Sequence, residues 1–145
     1  MMGLLNPAKP TRLFFMVLLF ACGLAACSPD GAAVAEADYP AKIVGNWQGE
    51  VAGENETMSF AADGGFVSLV RSDGFISTTL GQGVTGKIRG TWAISGNSIT
   101  LNINSTEHDQ VLNSRAIGTI ETLKPNALVV KSSTGITSTF VRQSS

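Results

Sequence analysis

Few of the 145 residues are of types that do chemistry, and their spacing narrows what that chemistry can be. The one histidine, His108, lies in Ser105-Thr106-Glu107-His108-Asp109-Gln110, a polar connection whose adjacent side chains do not by themselves close a coordination shell around a metal. A Ser-His-Asp or Cys-His nucleophile would need that single loop imidazole as its base. Gly81-Gln82-Gly83-Val84-Thr85-Gly86 matches G-x-G-x-x-G letter for letter. A phosphate cradle needs a helix N-terminus next, but the adjoining Lys87-Ile88-Arg89-Gly90-Thr91-Trp92 alternates like a strand. Glu50, Glu54, Glu56 and Glu121 could supply carboxylate pairs, but on alternating strands such residues are expected on the solvated face. No catalytic residue, metal or cofactor is predicted, and the expected class is non-enzymatic.

Two thiols remain, Cys22 and Cys27, and both sit near a hydrophobic stretch. Lys9 and Arg12 precede Leu13-Phe14-Phe15-Met16-Val17-Leu18-Leu19-Phe20-Ala21-Cys22, which gives way to small residues. This is the tripartite pattern of a secretory signal, and roughly 12 apolar residues are too few for a spanning helix, which needs about 20. The positive mean hydropathy of +0.19 comes largely from this piece. Without Lys9 and Arg12 the chain carries 8 cations against 11 acids, a net charge of −3, which argues against a nucleic-acid partner.

Leu24-Ala25-Ala26-Cys27 resembles the lipobox of bacterial lipoproteins in all four positions. The resemblance implies cleavage after Ala26, a diacylglyceryl group on the Cys27 sulfur, and a mature chain held on a membrane by acyl chains without spanning it. Ser28 stands where the inner-membrane retention signal of that family has Asp. The resemblance therefore implies the outer membrane of a Gram-negative cell, with the domain facing the periplasm. Cys22 leaves with residues 1–26, so no disulfide is available to the mature chain. Residues 27–41 read as the lipidated Cys and a flexible tether, of which 28–41 would reach roughly 20 Å.

Residues 42–145 form the predicted domain. Between Pro40 and Pro125 there is no proline, while Gly, Asx and Ser clusters recur at short intervals, a pattern of paired strands. Ile99, Leu101 and Ile103 alternate with Thr100, Asn102 and Asn104, the mark of a strand with one wet face. Strands are predicted at 43–51, 56–61, 66–71, 75–80, 87–94, 98–104, 115–123, 127–132 and 136–142. Tight-turn chemistry at Asp63-Gly64, Asp73-Gly74, Gly96-Asn97, Pro125-Asn126 and Thr134-Gly135 separates most of them. No sustained 3.6-residue apolar stripe follows Lys42. The expected fold is all-β, an antiparallel up-and-down meander closing into a small barrel of eight or nine strands.

Gly45-Asn46-Trp47 on the first predicted strand resembles the G-x-W signature of lipocalins and the wider calycin group. In that family an Arg near the end of the last strand lies across the Trp, and Arg142 is placed for that part. Met58 to Phe66 and Gly90 to Leu101 are similar to hairpins of small bacterial lipocalin-like domains. The resemblance implies a structural signature at Gly45, Trp47 and Arg142, with both tryptophans in the core. Binding of a small ligand would predict a barrel mouth lined by Val67, Leu69, Phe75, Ile76 and Leu80. The chain is shorter than a typical lipocalin and lacks its packing helix and disulfide, which leaves little interior for a ligand.

The function expected is a lipid-anchored envelope module that binds a small apolar ligand or a protein partner. One alternative is a periplasmic protease inhibitor that inserts residues 28–41 into an enzyme. Another is a structural accessory of an outer-membrane complex, using the hydroxyls of Ser132, Ser133, Thr134, Thr137 and Thr139.

Overall fold

The computed structural model describes residues 31–145. The expected signal at 1–26 and the expected lipidation site Cys27 lie outside the described residues. Eight antiparallel strands, each paired with its sequence neighbour, close into one barrel. They are β1 (Gly45–Val51), β2 (Glu54–Phe60), β3 (Gly65–Val70), β4 (Gly86–Ser95), β5 (Ser98–Thr106), β6 (Arg115–Leu123), β7 (Ala127–Ser132) and β8 (Thr137–Gln143). Two short helices, α1 (Tyr39–Lys42) and α2 (Phe75–Leu80), sit at opposite ends.

Alternation places the core. On β5, Ile99, Leu101 and Ile103 are fully buried, while Thr100 and Asn102 between them are half-buried. Directly paired residues share a face, so the pairing of Phe60 with Phe66 fixes which side of β3 points inward. Phe66, Ser68 and Val70 take the inner face, and Val67 and Leu69 are each 37 % exposed on the outer one. These two were expected to line the mouth, and they do not. The run Phe66-Val67-Ser68-Leu69-Val70 has apolar residues in both phases, so only the partner strand decides the facing.

The ninth predicted strand, 75–80, is instead the helix α2, contrary to the expectation of a chain without helices. Its β-branched composition suits a strand, but β3 pairs directly with β4 and leaves no place in the sheet for it. The helix is built from local bonds: the Thr78 hydroxyl donates to Gly74 O at 2.8 Å and the Thr79 hydroxyl to Phe75 O at 2.7 Å. Gly81, at φ +68°, ends it in the left-handed conformation, and Gln82 N–H closes back on Ser77 O at 3.1 Å.

The tether expected up to residue 41 is also structured over much of its length. Val34 N–H donates to Leu123 O at 2.7 Å, residues 36–38 form a 3-10 turn, and α1 comes next with Tyr39 buried. Ile43, predicted as the start of the first strand, instead caps α1 and is fully buried. Residues 34–43 thus close one end of the barrel, its base.

Candidate functional site

At the base, β1 and β8 bring Gly45, Trp47 and Arg142 together. Trp47 is fully buried and its indole N–H donates to Ile43 O at 2.8 Å. The Arg142 guanidinium lies 4.2 Å from the centre of the Trp47 ring. It donates to Pro125 O at 2.6 Å, to Val44 O at 2.8 Å and to Lys42 O. One cation therefore ties α1, the β6–β7 turn and β1 to the end of β8. Gly45 has φ +135°, and the guanidinium occupies the space a side chain there would need. Partial burial holds the Arg142 pKa below its ordinary value.

The interior is filled by side chains. Met58, Phe60, Phe66, Ile88, Leu101, Leu128 and Phe140 are all at most 2 % exposed. At the opposite end, the mouth, α2 inserts Phe75 and Ile76, both fully buried, with Leu80 half-buried beside them. The Phe75 ring lies where a side chain on Gly118 of β6 would be. Of the five residues expected to line a ligand site, Phe75, Ile76 and Leu80 come together as a plug. Trp92 is half-buried, edge-on to Phe60 with ring centres 5.8 Å apart, and its indole N–H donates to Ala61 O.

The plug covers the mouth unevenly. α2 packs on β6 and β7 and touches β3. Across the closing seam, β1 and β8 pair only at Asn46–Gln143, Trp47–Arg142 and Gln48–Val141. Beyond Gln48 the two strands run on without continuing the ladder. There a cleft of about 440 Å³ opens, lined by Gly49 to Ala52, Glu56, Asp73 and Ile136 to Phe140. Exposed Glu50 and Asp73 supply carboxylates with buried Glu56 behind them, Thr137, Ser138 and Thr139 supply hydroxyls, and the lining contains no Lys, Arg or His.

Glu56 is the residue that sequence reasoning missed. It was expected on a solvated face, yet it is fully buried on the inner face of β2. The signal lies in its phase: Glu56, Met58 and Phe60 alternate against Thr57 and Ser59. Gly74, the residue before α2, has no side chain to cap the helix, and the Glu56 carboxylate occupies the space where its Cβ would stand. Oε2 accepts from Phe75 N–H at 3.1 Å, while Oε1 has no hydrogen-bond partner among the described residues. Burial pushes the Glu56 carboxyl up to about 7, against the lowering effects of the Phe75 N–H, the Arg71 charge and the Ile76 N–H. Arg71 itself pairs with exposed Glu54 at 3.4 Å.

The remaining sequence signals resolve into structure. Gly81 ends α2 and Gly86 begins β4, so the G-x-G-x-x-G stretch is the return from plug to sheet. The His108 ring sits within hydrogen-bond distance of Thr85 O. Among the described residues no group of His, Cys, Asp and Glu could hold a metal ion. The Ser132 and Thr134 hydroxyls bind each other, Ser132 also accepts from Ile136 N–H, and Ser133 and Thr134 donate to the Thr79 and Thr78 carbonyls, which fastens the β7–β8 turn to α2. No helix among the described residues is long and apolar enough to cross a membrane.

The sequence matches no protein-family description and none of the curated proteins. Among solved structures, the chain is similar to a lipocalin-like protein from Bacteroides uniformis, with 16 % identity and a TM-score of 0.47, over 70 % of this chain and 99 % of that one. It is also similar to an uncharacterized protein from Bacteroides eggerthii, with 12 % identity and a TM-score of 0.45, over 69 % and 98 % of the two chains.

Proposed function

We propose that this protein is a non-catalytic binding module of the bacterial envelope, carried on the outer membrane by acyl chains at Cys27. Its recognition site is the acid-lined cleft at the mouth, and its ligand is a positively charged segment of a partner protein. The observation that carries the reading is the filled barrel: Trp47 and Phe75 are both fully buried, and neither lines the mouth cleft or the grooves at the base and on the outer surface. An apolar molecule has no space beside either ring. The cleft, by contrast, combines two exposed carboxylates, Glu50 and Asp73, with two strand segments whose pairing has stopped.

The inhibitor alternative needs residues 28–41 as a free arm, and from Val34 onward they are packed on the base. The accessory alternative needs hydroxyls that, at Ser132, Ser133 and Thr134, are engaged in holding α2. Titration with a fluorescent fatty acid tests the filled interior. No saturable binding is expected, and a one-to-one complex displaced by unlabelled fatty acid would overturn the reading.

A further inference from the structure

The base of the barrel holds a feature that the mouth cleft does not use. Lys42 on α1, Lys124 and Pro125 in the β6–β7 turn, Arg142 on β8 and Val34 line a groove of about 290 Å³. None of these three cations has a carboxylate within ion-pair distance among the described residues. Of the acids beside α1, Glu36 lies by the β4–β5 turn at Gly96 in a separate groove with Pro40 and Ile94, and Asp38 precedes the helix without an ion pair among the described residues. Lys42 and Lys124 are therefore available to an anion from outside the chain, and the Arg142 guanidinium, already holding three carbonyls, adds its charge to the groove.

The path of the chain brings the same end toward its anchor. Gly31 packs against the Pro125 ring, where an added Cβ would stand 3.1 Å from Cγ. Cys27 precedes Gly31 by four residues, and four residues fully extended span at most about 14 Å. The polar headgroup layer on one side of a bilayer is roughly 5 to 7 Å thick. A Cys27 sulfur acylated in the bilayer thus keeps Gly31 at the base no more than about 7 to 9 Å beyond the headgroup layer, whereas the mouth stands off further by the length of the strands.

We propose that the base is a membrane-facing surface, in which Lys42 and Lys124, with the Arg142 charge behind them, contact anionic lipid phosphates of the leaflet that holds the Cys27 acyl chains. The barrel then stands upright with the mouth cleft directed into the aqueous space. Juxtamembrane cations are drawn to an anionic surface, and the attraction fades within a Debye length, so only the near pole of the barrel takes part. The inference rests on lipidation of Cys27, and its test separates the two.

The lipidated protein, reconstituted in vesicles of phosphatidylethanolamine and phosphatidylglycerol at three to one, carries a fluorophore at Asn126→Cys in the basal turn or at Thr134→Cys at the mouth. Headgroup-nitroxide lipid quenches it, and flotation of the vesicles reports anchoring independently. Several-fold stronger quenching at position 126 than at 134 is expected, with both proteins floating. In the Lys42→Gln/Lys124→Gln variant, which leaves Arg142 in place, the difference is expected to shrink while flotation persists. Equal quenching at the two positions in a floating protein overturns the orientation. An undiminished difference in the double variant overturns the phosphate contact. Failure to float overturns the anchoring reading itself.

Discussion

Arg142 and Trp47, paired across the β1–β8 seam with the guanidinium 4.2 Å from the ring centre, form the point where the barrel closes. The ladder between these strands is only three residue pairs long. Much of the closure therefore rests on one side chain, which also holds the carbonyls of Lys42, Val44 and Pro125.

Replacement of Arg142 by Ala removes the stacking and leaves three carbonyls without this donor. Hydrogen bonds involving a charged group contribute about 1.5 to 3 kcal/mol each and the stacking about 0.5 to 2, with strong overlap between them. A destabilisation of about 3 kcal/mol is expected in urea unfolding followed by tryptophan fluorescence. A loss below about 1 kcal/mol would show that the seam closes without it. Arg142→Lys is expected to restore little, because an ammonium cannot reproduce the planar fork.

Gly45 belongs to the same device from the other side. At φ +135° an L side chain is strained, and Gly45→Ala would also displace the guanidinium. A cost of about 2 kcal/mol or more is expected. Gly53→Ala, where φ is +79° but no heavy atom lies within 4 Å, isolates the backbone strain and is expected to cost less. Equal costs would mean that crowding at Arg142 contributes nothing.

The barrel order and most strand bounds were legible in the sequence because alternation and turn chemistry are local. Ile99, Leu101 and Ile103 declare their face without help. Two readings failed because they depend on partners distant in the chain. The facing of β3 is ambiguous until Phe66 meets Phe60. Residues 75–80 have strand-like composition, yet the barrel needs its mouth filled more than it needs a ninth strand. Glu56 was misread for a further reason: a carboxyl on an inner face runs against the average, although its phase with Met58 and Phe60 was on view.

Phe75 is fully buried in the plug, so Phe75→Ala is expected to cost about 4 kcal/mol. It also empties space beside Gly118. The variant is expected to bind an apolar fluorescent probe that the parent excludes, and a variant that excludes the probe as well would show that α2 collapses into the gap.

The raised Glu56 pKa makes stability depend on pH in a stated direction. Between the ordinary value of 4.5 and about 7 the native state keeps a proton that the unfolded chain has released. This contribution is therefore fully present below about pH 4.5, declines as pH rises toward 7, and is lost above it. The span corresponds to about 3 kcal/mol. Unfolding of Glu56→Gln measured from pH 4.5 to 8 is expected to lack this decline, and a parallel decline in parent and variant would assign it to other groups.

Recognition at the acid-lined cleft, and not inside the barrel or on its far wall, is tested most directly by crosslinking in intact cells. A photo-crosslinking residue at Thr139, exposed beside the cleft on β8, is compared with one at Thr91, exposed on β4. The expected result is a discrete crosslinked envelope protein from position 139 alone, lost when Glu50 and Asp73 are replaced by Lys. Crosslinks to the same protein from both positions, or from 139 regardless of the Lys substitutions, would contradict the proposed site.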